Sequence, residues 1–137
     1  MSKEAYNKLV AKLERLDEYI SYLRDIQKVN KDQFVADYHF FGLAERYLHL
    51  AIEVLLDAGK ILIVTENLER PDENQEIFAV LNKHSVLSNN VTERLIGIAN
   101  FRNILVHEYG KIDREIVYNK LQKNLDDFID FKKEIAR

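Results

Sequence analysis

The sequence predicts an all-α fold, an antiparallel bundle of about five helices, and three observations carry that prediction. Apolar residues recur at alternating three- and four-residue steps over long stretches, which is the period of a helix with one buried face. No stretch of convincing length alternates apolar and polar residues as a half-buried strand does. Only four glycines and one proline occur in 137 residues, too few turn formers for an all-β sandwich or barrel of this length. A chain of this size buries roughly two-thirds of the surface its unfolded form exposes, so one core suffices, and residues 1–137 are read as a single domain.

The first element spans about residues 4–29. Leu9, Leu13, Leu16, Ile20 and Leu23 form its seam, with Lys12, Glu14, Arg15, Asp17 and Glu18 between them. At 1.5 Å per residue it is roughly 39 Å long. Asn30 followed by Gln33 resembles a capping box. It opens a second helix that carries Phe34, Tyr38, Phe41, Leu48, Ile52, Leu55, Gly59 and Leu62 through about residue 64 and pairs with the first as an antiparallel hairpin. Leu43, Tyr47, Leu50, Val54 and Ile61 add a second stripe beside that seam. Either a homodimer covers it, or the helix threads the middle of one bundle.

Residues 65–74 concentrate acids, Asn67, Asn74 and Pro71, and form the main loop. A short helix over about 75–83 follows with Ile77, Phe78, Val80 and Leu81. Asn90, with Glu93 three residues on, is the expected N-cap of a helix through Leu95, Ile98, Ala99, Phe101, Arg102, Leu105 and Val106, which Gly110 ends. Asp113 caps a last helix with Val117, Leu121, Leu125, Phe128 and Ile135 facing inward.

Charge narrows the choice of function. The chain holds 20 basic and 23 acidic side chains, but residues 65–76 contribute five acids (Glu66, Glu69, Asp72, Glu73, Glu76) against Arg70, so the remainder carries 19 bases and 18 acids. Bulk electrostatic capture of a nucleic acid is therefore weak, and phosphate binding falls to a few placed side chains. The absence of cysteine excludes a disulfide framework, a thiolate zinc site and a cysteine nucleophile. The polar start Met-Ser-Lys-Glu-Ala-Tyr-Asn-Lys and the lack of an apolar run near 18 residues predict a cytoplasmic chain with no membrane partner.

No glycine-rich phosphate loop, His-Glu-x-x-His pair, calcium loop or serine nucleophile motif is present. The conspicuous stretch is Phe101-Arg102-Asn103-Ile104-Leu105-Val106-His107-Glu108-Tyr109-Gly110, where polar side chains crowd the last turn of an otherwise apolar helix. Asn103 and His107 lie one turn apart on one face, whereas Arg102 sits about 140° from His107 and pairs with it only across a second chain. A two-fold axis near this turn gathers two arginines and two histidines in one cleft. Such a set suits metal-independent RNA cleavage. His107 titrates near neutrality and can move protons, Arg102 can grip a phosphate with its planar fork, and Asn103 can orient ribose or phosphate. The same residues also admit a purely structural reading, with His107 as a helix C-terminal dipole partner, Arg102 paired with an acid such as Glu108, and Tyr109 packed on the core. His39, His49 and His84 are scattered without ligand spacing. Glu45 lies on the apolar seam, where it either meets an arginine such as Arg102 or Arg94 or reaches solvent at the seam edge.

Arg102, His107 and Tyr109 spell Arg-x-x-x-x-His-x-Tyr, which resembles the signature of the HepT-like branch of the HEPN ribonucleases. The resemblance extends along the chain, through Lys12-Leu13-Glu14-Arg15-Leu16, Glu45-Arg46, Ala51-Ile52-Glu53 and Asp57, to Phe101–Tyr109 and Ile112-Asp113. It implies an all-helical homodimer that acts as the toxin of a type VII toxin–antitoxin pair and cleaves RNA at a dimer cleft without a metal or other cofactor. Arg102 and His107 are then catalytic, with Asn103 assisting. The implied partner is an MntA-like nucleotidyltransferase antitoxin, which transfers AMP from ATP onto Tyr109. Added phosphate charge and adenosine bulk beside His107 repel substrate phosphate and fill the cleft. Two other classes remain open at this level, a non-catalytic module that binds a nucleotide or docks a nucleotidyltransferase, and a structural dimerisation domain.

Overall fold

The computed structural model describes residues 1–107 and 113–136, with the backbone alone at 106 and 107. Its described residues form seven helices and no strand: α1 (Lys3–Gln27), α2 (Lys31–Ala36), α3 (Tyr38–Thr65), α4 (Glu76–Lys83), α5 (Asn89–His107), α6 (Arg114–Lys123) and α7 (Leu125–Ile135). The all-α expectation holds. The count exceeds five because two expected helices are each broken once.

The first break falls at Asp37. Its backbone is extended (φ −119°, ψ 113°), and its carboxylate accepts the His39 amide at 2.9 Å, so the residue caps α3 instead of continuing α2. Asn30 caps α2 as its sequence predicts, accepting the Gln33 amide at 2.9 Å. The turn lets Phe34 point fully into the core, edge-on to Tyr118, while Tyr38 swings out of the expected seam to the surface. The second break falls at Asn124 (φ −116°, ψ 4°), whose side-chain amide donates to Asp127 at 2.8 Å and separates α6 from α7.

α3 runs through the middle of the bundle and packs against all six other helices, so its own chain covers part of the second apolar stripe. Val54 is buried and Tyr47 packs beside Tyr19 and Tyr22 of α1, whereas Leu43, near the start of α3, stays 47% exposed. The core is continuous from Leu9, Leu16 and Leu23 of α1 through Leu48, Ile52 and Leu55 of α3 to Phe128 and Phe131 of α7. Leu13 and Ile135 pack only at its margin. Gly59 sits where α3 and α4 approach most closely, since a Cβ built there lies 2.5 Å from Ile77 Cγ2. α3 ends through Asn67 in the left-handed region (φ 54°), and the Leu68 amide donates back to the Ile63 carbonyl at 2.9 Å, as the loop composition around 65–74 anticipates.

Candidate functional site

The site grows from α5. Its cap lies two residues earlier than Asn90: Ser88 holds that place, with Oγ accepting the Val91 amide at 3.3 Å and its carbonyl accepting the Thr92 hydroxyl at 2.7 Å. Asn90 falls inside the helix, and the expected Asn90–Glu93 box is not used. The Ser88 amide in turn donates to Glu134 of α7 at 2.8 Å. Val91, Leu95, Ile98, Ala99, Phe101 and Leu105 then bury one face of α5. A second tie to α7 comes from Arg94, which donates to Asp130 at 3.0 Å and to Asp127, a carboxylate only 2% exposed. The Asp130 hydrogen bond above all raises the Arg94 pKa, against the desolvation that lowers it, and Asp127 adds to the rise. A buried carboxylate needs such partners, and Asp127 has both Arg94 and Asn124. The helix that carries the polar stretch is thus fixed at its start and middle by groups remote from that stretch.

Arg102, about two turns on from Arg94, lies between α5 and α3. Its Nε donates to Glu53 Oε1 at 2.6 Å, with the arginine side chain 24% exposed and the glutamate 33% exposed. His49, one turn before Glu53 on α3, brings Nε2 to 3.4 Å from the same oxygen. Among the described residues Nε is the one Arg102 nitrogen with a hydrogen-bond partner. Asn103 and Ile104 are exposed beside it. His107 closes α5 as the last helical residue, but its side chain lies outside the described residues, as do Glu108, Tyr109 and Gly110.

The alternatives left open for Glu45 resolve away from both named arginines. Glu45 meets neither Arg102 nor Arg94. It is half-buried, and burial pushes its carboxyl above the usual glutamate range while the charge of Arg114 pulls the other way. Arg114 itself donates to the Val35 carbonyl at 2.8 Å and sits 3.9 Å over the Phe41 ring, which holds it at the α2–α3 corner. The acid that takes Arg102 is Glu53, which the reading of the seam passed over. In the sequence it stands only as the middle of the four-residue step His49–Glu53–Asp57 along one polar strip of α3, a spacing that does not say what it meets. Asp57, the next member of that strip, binds Lys12 of α1 at 3.1 Å. There α1 and α3 flank an open groove of about 790 Å³ lined by Lys8, Lys12, Arg15 and Lys60. His39 and His84 lie elsewhere, beside Asp37 and Glu69, each at 2.9 Å. Among the described residues no group of histidine, aspartate and glutamate is arranged to hold a metal ion, and no helix is long and apolar enough to cross a membrane.

Over 107 residues the chain is 24% identical to the tRNA nuclease HepT of Aphanizomenon flos-aquae, covering 78% of this chain and 73% of that one. Over 111 residues it is 25% identical to the mRNA nuclease HepT of Shewanella oneidensis, covering 80% and 84%. Among solved structures, the tri-AMPylated HEPN toxin of Shewanella oneidensis, in complex with its MNT antitoxin, superposes with a TM-score of 0.84 at 21% identity, covering 99% of this chain and 98% of that one. The cytosolic protein YutE of Bacillus subtilis, of unknown function, superposes at 0.81 with 20% identity, covering 96% and 87%. These superpositions place the fold, and the family model described as ribonuclease HepT-like matches residues 16–135, so the chain belongs to the ribonuclease HepT-like family.

Proposed function

We propose that residues 1–137 act as one HEPN/HepT-like unit, the ribonuclease toxin of a type VII toxin–antitoxin pair, with Arg102 and His107 catalytic, Asn103 assisting and Tyr109 the acceptor of AMP. The observation that carries this reading is the Arg-x-x-x-x-His-x-Tyr run at the end of α5, inside the matched family region, with its arginine held at a partly exposed position between two helices. Relatives named as tRNA and mRNA nucleases support an RNA substrate. The complex of an AMPylated HEPN toxin with an MNT antitoxin supports an MntA-like nucleotidyltransferase as partner.

In this reading a base takes the proton from a ribose 2′-hydroxyl, the 2′-oxygen attacks the adjacent phosphorus, and the 5′-oxygen leaves with a proton from an acid. The products are a cyclic phosphate and a 5′-hydroxyl. His107 moves the protons, and Arg102 meets the charge that grows on the phosphate oxygens. Because positions 102 and 107 are about 140° apart around one straight helix, the two roles are completed by a second copy. Leu43 on α3 and Ile104 on α5, 47% and 39% exposed on the helices that hold Glu53 and Arg102, offer apolar surface for it. A cytoplasmic location goes with this reading, since that is where the RNA is.

The test is cleavage of tRNA and of an mRNA transcript by the purified chain in excess chelator. Arg102→Ala and His107→Ala are each expected to lower the rate by about 100-fold or more. Cleavage that survives both substitutions overturns the assignment, and no cleavage by the unsubstituted chain favours a binding module. Mixing with the partner nucleotidyltransferase and ATP is expected to place AMP on Tyr109, and finding no adduct defeats that part. An adduct on Tyr118 instead, whose ring is engaged with Phe34, defeats it too.

A further inference from the structure

We propose that Glu53 is a positioning residue for Arg102, holding the guanidinium by its inner nitrogen so that its outer edge is presented to a phosphate. The inference rests on the catalytic reading of Arg102 given above and adds a residue to it.

An arginine side chain has several rotatable bonds, and an unanchored one spreads its charge over many positions. Arg102 is anchored at Nε, 2.6 Å from Glu53 Oε1. Guanidinium carries five N–H donors in a planar fork. Engaging Nε–H leaves the N–H groups of the two terminal nitrogens, the set that bridges two oxygens of one phosphate. The carboxylate is itself fixed. It belongs to α3, which packs on every other helix, and His49 Nε2 stands 3.4 Å from the same oxygen that Arg102 uses. Arg102 comes from α5, whose start and middle are tied to α7 by Ser88, Glu134, Arg94 and Asp127. Two separately anchored helices thus meet through one short hydrogen bond next to the exposed Asn103.

A structural ion pair of this exposure contributes little to stability. A misplacement of about 1 Å in a catalytic group can cost about 100-fold in rate. The two roles are therefore separable by experiment. With tRNA as substrate and chelator present, Glu53→Ala is expected to lower kcat by about 10- to 100-fold, with KM and the thermal midpoint little changed. Glu53→Gln keeps an acceptor oxygen at the same reach and is expected to recover most of that loss. In an Arg102→Ala background, Glu53→Ala is expected to cause no further decrease, since a residue that acts through Arg102 has nothing left to position.

The inference is overturned if Arg102→Ala abolishes cleavage while Glu53→Ala keeps the wild-type kcat, if the two losses multiply, or if the glutamine variant is no better than the alanine one. Wild-type cleavage in Arg102→Ala is a different result, because it removes the catalytic assignment of Arg102 and this inference with it. Should the alanine variant fail to fold, Glu53→Met, which keeps the side chain's length without an acceptor oxygen, replaces it in the same comparisons with the glutamine and Arg102 variants.

Discussion

Glu45 and Glu53 lie two turns apart on α3, and their different fates explain how much of the site the sequence discloses. Both are acids on a helix rich in apolar residues, and the seam pattern draws notice to Glu45 because it interrupts the seam. Which acid meets Arg102 depends on how far α5 slides along α3, and no residue spacing within one helix records that offset. Arg102, Asn103, His107 and Tyr109 are legible because they are consecutive on one short stretch; Glu53 is not, because its partner is 49 residues away. The placement of Glu45 gives its own prediction. Burial raises its carboxyl pKa in the fold, so the native state holds that proton more tightly than the unfolded chain, whose glutamates titrate near about 4.3. The charged form is thus a liability that grows as pH rises through the unfolded value and past the folded one, and it vanishes below both. Glu45→Gln is expected to be more stable than the wild type near pH 7 in urea denaturation, with the gap closing near pH 3. A variant less stable at neutral pH shows instead that attraction to Arg114 prevails.

Elements were legible wherever the apolar period continued and ambiguous wherever it continued across a break. The seam of residues 34–62 keeps its period through Asp37, and that of 117–135 keeps it through Asn124, so nothing in the spacing marks either interruption. What marks them is local side-chain bonding, the Asp37 carboxylate capping the His39 amide and the Asn124 side chain donating to the Asp127 carboxylate. Ser88 displaced Asn90 as a cap for a similar reason, since a polar run offers several residues that can accept an amide and tertiary ties such as Glu134 select one. Two helical glycines make a paired prediction. A Cβ at Gly59 lies 2.5 Å from Ile77 Cγ2, while one at Gly97 meets nothing within 4 Å. Alanine improves helix propensity at either site by about 0.5–1 kcal/mol, but overpacking typically costs about 1–3 kcal/mol. Gly97→Ala is therefore expected to stabilise the protein by about 0.5–1 kcal/mol and Gly59→Ala to destabilise it by about 1 kcal/mol or more, both read from denaturant midpoints. Equal gains at the two sites contradict the close α3–α4 approach.

At the scale of the whole molecule, the all-α class followed from the period and the scarcity of turn residues, whereas the central position of α3 did not, because a twice-covered helix reads the same whether its second cover is its own chain or another. The structure supplies the first kind of cover for most of α3 and leaves Leu43 exposed. For the proposed homodimer, light scattering is expected to give twice the 16.2 kDa of one chain at concentrations where cleavage is measured. A single-chain mass under those conditions removes the shared cleft. The position of α3 has a further consequence. A rod in contact with all its neighbours leaves no plane along which the bundle separates into two halves that keep their cores. Amide exchange along Leu48–Leu62 is expected to proceed only by opening of the whole chain, with one common opening free energy. A cell that must silence such a protein quickly gains nothing by loosening a part of it, and a covalent mark on the surface reaches what partial melting does not.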